Sequence, residues 1–403
     1  MVNYVFLSVY FYSVPNLRFS FEEDWCTSTI GENFRLSSGL TPSTKEKAYF
    51  NNGIIPWINS GELKNKYISF TENKLTLDAV KKHNLTIYPM DTMVIAIYGL
   101  EAAGVRGKAS ITKMDSTISQ SCMAFNSLGN VLTQFMYYVY KKEAQILGTR
   151  YAQGTKQQNL SSDLLSSYKL LYPSKEEQLK IVNFLSLIDE KIETQSKIIE
   201  LKQSLIKDIE DRILWKTTNA QTKPIREFLT EINDKSIIQN QYPLLSSTKK
   251  GLFLQIDYFN KEAASSNNIG YKIVHKGDII ISPQNLWMGN ITYNDKFDNG
   301  LVSPSYRIYK VKEEYNAFYI SRIMMSYRAL SLYKNISEQG ASIVRRNLNV
   351  DAFNELCFPI PNIKKQDEVG LFLSKLHQEL KCETWILMQL KNQKNYLLNK
   401  MFI

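Results

Sequence analysis

Residues 174–215 read SKEEQLKIVNFLSLIDEKIETQSKIIELKQSLIKDIEDRILW, and this stretch decides the fold. Its apolar side chains recur every seven residues in two rows. The rows hold Ile181, Ile188 and Ile209, and Leu185, Ile192, Ile199, Ile206 and Ile213. Two apolar positions in each heptad are typical of a helix that packs along a second helix. The stretch therefore predicts one long helix that has a helical partner.

The sequence also predicts where this helix begins. Pro173 precedes Ser174, and Glu177 follows three residues later, which is the spacing of a capping box. Gln195 and Lys202 interrupt the apolar rows in the middle of the helix. Polar residues at such positions fix the register of a helix pair at some cost in stability.

An internal repeat supplies the partner. Asn159-Leu160 recurs at Asn347-Leu348, an offset of 347 − 159 = 188 residues. The same offset superposes Pro173 on Pro361, Gln178 on Gln366, and Phe184-Leu185-Ser186 on Phe372-Leu373-Ser374. Self-similarity at a fixed offset indicates a duplicated structural unit.

The offset predicts a second pair of apolar rows near the end of the chain. They hold Val369, Leu376, Leu390 and Leu397, and Leu373, Leu380, Leu387 and Met401, with Glu383 and Lys394 as polar exceptions. We expect the two helices to form an antiparallel coiled coil. The contact residues of this helix pair are predicted to be Ile181, Leu185, Ile188, Ile192, Ile199, Ile206, Leu373, Leu376, Leu380, Leu387 and Leu390. The alternative is that each helix is amphipathic and packs only on its own domain.

Before each long helix, β-rich runs alternate with turn signals, which predicts an α+β fold. The clearest strand patterns are residues 84–89 and 93–98 in the first half, and 271–274, 278–282 and 306–311 in the second. Helical patches are expected at 130–147 and 317–333. The domain boundaries follow: a first domain at 1–172, a first long helix at 173–216, a second domain at 217–361 and a second long helix at 362–403.

Composition favours an acidic partner. The net charge is +10 and the pI is about 9.1, which is typical of proteins that bind nucleic acid or a membrane surface. Residues 1–14 are apolar, but they lack the features of a signal peptide and are too short for a spanning helix. We expect an N-terminal extension or a strand there, and no membrane partner. Four scattered cysteines indicate neither a disulfide framework nor a zinc site, which favours the cytoplasm.

The motifs of an enzyme were not found. His83, His275 and His377 have no metal-ligand spacing and no nucleophile pattern. Residues 99–108 resemble a phosphate loop, but Val105 stands where that loop needs lysine. We therefore predict no catalytic residue, no metal site and no bound cofactor.

Polar and basic residues instead point to DNA contacts. Gln and Asn can read adenine, while Arg can read guanine or hold phosphate. The candidates are Thr41, Ser43, Asn59, Arg106, Lys108, Lys156, Gln157, Gln158, Lys249, Lys250, Asn285, Ser303, Tyr306, Arg307, Arg345 and Arg346. For any one of them the alternative is an ordinary solvated connector. Trp57 and Trp287 fit core positions better than base contacts.

Each half of the chain carries a series of short motifs. The first half has PNLRF at 15–19, Trp25, SGLTPS at 38–43, IPWI at 55–58 and GTKQQNL at 154–160. The second has LLS at 244–246, KGDI at 276–279 and VSPSY at 302–306. With Pro173 to Gln178 and Pro361 to Gln366, this layout resembles the DNA-specificity subunit of a type I restriction-modification system. Lys365, which stands where Glu177 stands in the first half, and the apolar residues before Pro15 depart from the pattern.

The resemblance implies two pseudo-repeated target-recognition domains, each reading one half of a split site in double-stranded DNA, with the helix pair as spacer. It implies that the helices dock modification subunits, two in number, and that restriction subunits join them. S-adenosylmethionine, ATP and magnesium would then be used by the partners, and this chain would be non-catalytic. Two other readings stay open: a protein-binding scaffold built on a coiled coil, and a nuclease whose site has no recognised motif.

Overall fold

Two compact units make up the chain in the computed structural model. Unit 1 comprises Met1–Thr194 and Leu387–Ile403, and unit 2 comprises Gln195–Ile386. The structure describes residues 15–100, 102, 104–151, 159–249, 251–259, 267–339 and 346–403. The apolar residues 1–14 lie outside this description.

Unit 1 is built on a mixed sheet. Its strands are β1 (Cys26–Thr29), β2 (Phe34–Ser38), β3 (Ile55–Ile58), β4 (Tyr67–Ile68), β5 (Lys74–Leu75), β6 (Met93–Ala96), β7 (Ala109–Thr112), β8 (Thr117–Ile118), β9 (Cys122–Ser127) and β10 (Lys169–Tyr172). The main sheet has the order β2-β9-β6-β7-β4, and a smaller one has the order β5-β3-β8. β1 pairs with β10 in antiparallel register. Residues 84–89, predicted as a strand, contain only an isolated bridge from Tyr88 to Ser116.

The helices of unit 1 pack against its two sheets. They are α1 (Ile30–Asn33), α2 (Leu77–Lys82), α3 (Thr133–Ile146), α4 (Ser162–Ser167) and the first part of α5 (Lys175–Trp215). Phe135, Tyr138 and Tyr140 of α3 are buried and join the core that β6 and β9 supply. The patch predicted at 130–147 is therefore a helix whose aromatic residues face the sheet.

Unit 2 repeats the layout with different inserts. Its strands are β11 (Gln221–Pro224), β12 (Leu229–Ile232), β13 (Leu245–Thr248), β14 (Gly251–Leu254), β15 (Lys272–His275), β16 (Ile279–Ile281), β17 (Ile291–Tyr293), β18 (Asn299–Val302), β19 (Arg307–Val311), β20 (Ser337–Gln339), β21 (Arg346–Leu348) and β22 (Cys357–Ile360). The main sheet has the order β12-β19-β16-β17. Four two-stranded sheets surround it: β11-β22, β13-β14, β15-β18 and β20-β21.

The helices of unit 2 include a break that the sequence pattern hides. They are α6 (Ile225–Phe228), α7 (Gln255–Phe259), α8 (Ala317–Met324), α9 (Tyr327–Asn335), α10 (Val350–Asn354), the rest of α5, and most of α11 (Ile363–Met401). The patch predicted at 317–333 is divided because Ser326 caps α9, its side chain accepting a bond from Ala329 N. A capping serine stops one helix and starts the next.

The order of the strands is also repeated in the two units. β2-β9-β6-β7 in unit 1 and β12-β19-β16-β17 in unit 2 have the same antiparallel pairing. In each unit, the strand before the long helix pairs with the first strand of that unit's domain: β10 with β1, and β22 with β11. The α+β fold with two repeated domains and two long helices is thus confirmed.

The long helices have 41 residues in α5 and 39 in α11. Every one of the eleven predicted contact residues is buried or half-buried, and Leu185 and Leu373 are fully buried. Contacts within the units show the two helices running antiparallel: Asp189 meets Lys394 in unit 1, while Lys202 meets Glu379 and Glu210 meets His377 in unit 2. The helices also pack on the cores of the two units.

Candidate functional site

A buried glutamine ties each long helix to its domain. Gln178 Nε2 donates to Pro173 O at 3.0 Å, and its Oε1 accepts from Leu132 N, which precedes α3, at 2.9 Å. Gln366 repeats this geometry, donating to Pro361 O at 2.8 Å and accepting from Asn316 N, which precedes α8, at 3.0 Å. One amide therefore satisfies a carbonyl and an N–H group that helix ends leave unpaired. The repeated Pro-to-Gln motif is thus the joint between domain and helix pair.

Glu177 has a different partner from the one that a capping box predicts. Arg18 donates through Nε and Nη2 to the two oxygens of the Glu177 carboxylate, at 2.9 and 2.8 Å. The Glu177 side chain is almost fully buried. This bidentate pair anchors the PNLRF motif to the start of α5.

The polar residues that interrupt the apolar rows of the two helices pair with one another. In unit 2, Gln195 Nε2 donates to Glu383 Oε2 at 2.6 Å, and Lys202 Nζ donates to Glu383 Oε1 at 2.8 Å. Gln195 and Glu383 are equivalent positions of the repeat, since 383 − 195 = 188. Equivalent positions of the two helices therefore contact each other here, and this contact fixes the register of the helix pair.

A three-member cluster joins both helices to the domain of unit 2. Arg322 of α8 donates to both oxygens of Glu210 at 2.6 and 2.9 Å, and His377 Nε2 lies 2.8 Å from Glu210 Oε1. Burial pushes the pKa of Glu210 upward, but the bonds from His377 and Arg322 outweigh it, and the pKa is lowered overall. The carboxylate therefore stays ionised while it is almost fully buried.

Unit 1 has a corresponding cluster around Asp189. Tyr138 Oη donates to Asp189 Oδ2 at 2.7 Å, Lys394 Nζ lies 2.5 Å from Oδ1, and Lys66 Nζ donates to Tyr138 Oη and Ser186 Oγ, each at 2.8 Å. Burial lowers the pKa of Lys66 to about 8, and burial with the nearby Lys394 lowers that of Lys141 to about 8. Nothing in the sequence around Lys66 marked it for this role.

Exposed apolar residues remain on the helix pair at repeated positions. Phe184 in unit 1 and Phe372 in unit 2 are equivalent, and they are 37% and 45% exposed. Ile198 and Ile386 are a second equivalent pair, at 36% and 39%. Leu201 is 70% exposed and Trp385 is 59% exposed. Large apolar side chains in contact with water mark a protein interaction surface when they cluster on one element.

The candidate DNA contacts of the first domain divide into three sets. Thr41 Oγ1 accepts from Gln120 N at 3.2 Å and Asn59 Oδ1 accepts from Gly61 N at 2.8 Å, so both side chains hold turns. Arg106 Nε donates to Leu100 O at 2.7 Å. Ser43 is exposed and Lys108 is half-buried.

In the second domain most candidates also have structural bonds. Arg307 pairs with Glu231 and donates to Tyr309 Oη, Tyr306 Oη donates to Ser247 O at 3.3 Å, and Ser303 Oγ accepts from Ser305 N. Asn285 O accepts from Met288 N at 3.1 Å, and Lys249 is exposed. Of the remaining candidates, Lys156, Gln157, Gln158, Lys250 and Arg345 lie outside the described residues.

Arg346 has a different environment. Its guanidinium carbon lies 4.6 Å from the centroid of the Trp287 ring. Trp287 is half-buried rather than a full core residue, whereas Trp57 is 6% exposed and packs in a small core with Phe50. Core positions were predicted for both tryptophans, because the sequence does not show which side chains lie over their rings.

A metal site would need a cluster of ligating side chains, and a membrane span would need a long apolar helix. No group of three or more His, Cys, Asp or Glu side chains in the part of the chain that the structure describes could hold a metal ion. No described helix has both the length and the hydropathy that crossing a membrane requires. All four cysteines are free thiols, and Cys122 alone among them is buried.

Comparisons with known proteins agree with this geometry. Residues 22–203 match the family model described as the type I restriction modification DNA specificity domain. The specificity subunit of the type I restriction enzyme MjaIX of Methanocaldococcus jannaschii is 31% identical over 190 residues, which are 45% of this chain and 42% of that protein. A type I specificity subunit of Escherichia coli is 27% identical over 169 residues, 42% of this chain and 41% of that protein. The matches therefore cover less than half the length of these relatives.

A solved structure extends the likeness of fold to nearly the whole chain. The S subunit of a type I restriction-modification system from M. genitalium has a TM-score of 0.57 at 17% identity. The match covers 97% of this chain and 99% of that one. At this identity the comparison establishes the fold, including the two domains and the two long helices.

Proposed function

We propose that the chain belongs to the DNA-specificity family of type I restriction-modification systems and that it selects the DNA target of such a system. The observation that carries the proposal is the duplicated frame. Both units build the same four-strand order and the same buried glutamine joint, although the inserts between those elements differ. A protein that repeats its frame and varies its inserts is suited to reading two unlike sites.

We infer that each domain reads one half of a bipartite site in double-stranded DNA. Basic side chains, in a chain of net charge +10, supply affinity for phosphates, and a smaller number of polar side chains supply discrimination between bases. The two continuous helices set the separation of the half-sites. Adding one heptad to both helices lengthens each by about 10 Å, near three base pairs at about 3.4 Å each. An unchanged spacer in such a variant would argue against this role of the helices.

We infer further that the helix pair docks two modification subunits. Phe184 and Phe372 occupy equivalent repeat positions and are both exposed, as are Ile198 and Ile386, so the apolar surface occurs twice. Two copies of one partner need two such surfaces. Restriction subunits then join the complex, and S-adenosylmethionine, ATP and magnesium act on the partner subunits. This chain itself is non-catalytic and works in the cytoplasm.

Two measurements test the proposal. The purified chain, with and without its modification subunits, is titrated against duplex DNA over a series of salt concentrations, where a DNA reader shows affinity that falls steeply with salt. DNA methylation is then mapped in cells with and without the chain, and one bipartite motif should vanish with it. A protein-binding scaffold would show neither effect, and a nuclease would destroy the DNA when a divalent metal is added.

A further inference from the structure

Arg346 and Trp287 form a stacked pair that two separate elements hold in place. Arg346 begins β21, and its backbone N–H donates to Gln284 O at 3.2 Å. Trp287 lies in a short 3-10 turn at Leu286–Met288. With 4.6 Å between the guanidinium carbon and the ring centroid, the guanidinium is in range of a cation–π contact. The stack restricts the side chain of Arg346 before any ligand arrives.

Arg346 differs from the other described arginines of unit 2. Each of those has a carboxylate partner: Arg212 with Asp208, Arg226 with Glu355, Arg307 with Glu231, Arg322 with Glu210, and Arg328 with Asp211. Within the described residues, the side chain of Arg346 has no carboxylate partner and no hydrogen bond. Five of the six described arginines of unit 2 are thus ion-paired, while the donors of Arg346 are not engaged by a carboxylate.

Two of the N–H groups in the stack are left unsatisfied. Nε of Arg346 and Nε1 of Trp287 are both buried, and neither has an acceptor. A buried donor without a partner costs free energy, so a structure that retains two of them side by side needs an explanation. The terminal amino groups of Arg346 also have no partner among the described residues, so they are available to a ligand rich in acceptors.

We propose that Arg346, oriented by Trp287, reads a guanine in the half-site of the second domain, an inference that rests on the proposed function. The major-groove edge of guanine presents the acceptors O6 and N7, which match the fork of a guanidinium. Arg346 is also accessible to a ligand, because it is only half-buried and lies at the start of β21 in the β20-β21 pair. Trp287 is a positioning residue, which holds the plane of the guanidinium and does not touch the base.

The test uses the full chain in complex with its modification subunits. The target is first selected from a pool of random duplexes, and each guanine of the second half-site is then replaced in turn by 7-deazaguanine, which lacks the N7 acceptor. For the unaltered chain, one of these replacements should weaken binding by about 10- to 100-fold. In Arg346→Ala that replacement should have no further effect, because its partner is already missing. Trp287→Phe, which keeps an aromatic face, should retain the discrimination.

Controls separate this inference from loss of fold. Arg226→Ala removes an exposed arginine that is ion-paired to Glu355 in the same unit, and it should leave the 7-deazaguanine penalty unchanged. Selection at the other base pairs of the second half-site should persist in Arg346→Ala, which shows that the second domain of the variant is folded.

Three outcomes overturn the assignment. An unchanged 7-deazaguanine penalty in Arg346→Ala excludes the contact to guanine. A uniform loss of affinity for all duplexes, with a shallower salt dependence, would make Arg346 a phosphate contact instead. If the unaltered complex selects no sequence at all, the proposed function fails, and the reading of Arg346 fails with it.

Discussion

Truncating a buried leucine of the helix pair tests the packing in each unit separately. Leu185 lies in the core of unit 1 and Leu373 in that of unit 2, both fully buried and equivalent in the repeat. Replacing a fully buried leucine by alanine removes its transfer free energy and leaves a cavity, which together cost about 3 to 5 kcal/mol. We expect Leu185→Ala and Leu373→Ala each to lower the free energy of unfolding of its own unit by that amount.

The assay must resolve the two units. Native-state hydrogen exchange does so, because peptides from β6 and β9 report on unit 1 and peptides from β16 and β19 report on unit 2. Leu185→Ala should accelerate exchange most in the first set, and Leu373→Ala in the second. Leu201→Ala is the matched control: it makes the same chemical change on α5, at a residue that is 70% exposed, and should cost under about 0.5 kcal/mol.

The reasoning would be refuted if the control were as destabilising as the two core variants. It would also fail if either core variant exchanged like the unaltered protein. In both cases the buried rows of the helices would not be what holds the cores together.

Three further predictions concern charge and docking. Because the folded pKa of Lys66 and of Lys141 is about 8, below the ordinary 10.5, the unfolded chain binds more protons between those values, and the stability of unit 1 should rise as pH rises from about 8 to about 10.5. Denaturant titrations across that range should show a smaller rise for Lys66→Met. Glu210→Gln should destabilise unit 2 by about 3 kcal/mol in denaturant titrations, because it leaves Arg322 buried beside a neutral amide, whereas Asp208→Asn on the exposed face should change little. Phe184→Ala and Phe372→Ala should each reduce the docked modification subunits from two to one per chain, as read by native mass spectrometry.

The long helices and their joints could be predicted because their signals are local and repeated. The heptad rows need only the 3.6-residue geometry of a helix, and the 188-residue offset marks Gln178 and Gln366 as equivalent without any structure. The strand pairing could not be predicted. Phe34 lies opposite Ser127 in the main sheet of unit 1, and nothing in either segment specifies a partner that far along the chain.

Side-chain roles were the least predictable level. Glu177 has the spacing of a capping residue, yet it binds Arg18, because a buried guanidinium offers a carboxylate two charge-assisted bonds where a backbone N–H offers one. Arg307 and Arg346 look alike in sequence, and both were candidates for DNA contact. The structure shows that Arg307 pairs with Glu231, whereas Arg346 stacks on the Trp287 ring. The sequence shows the residue type, but the neighbours that tertiary packing brings to a side chain determine what that side chain binds.

The charges of the helix pair favour unlike partners over like ones. α5 carries the carboxylates Asp189 and Glu210, and α11 supplies the side chains that pair with them, Lys394 and His377. If a second copy of α5 took the place of α11, the 188-residue offset would put Asp189 where His377 stands, beside Glu210, and Ile206 where Lys394 stands. Each carboxylate would then face a like charge or an apolar side chain, which is unfavourable in a partly buried contact. The apolar rows largely match between the two helices, so these paired polar side chains distinguish the pairing of the two different halves from the pairing of two identical ones.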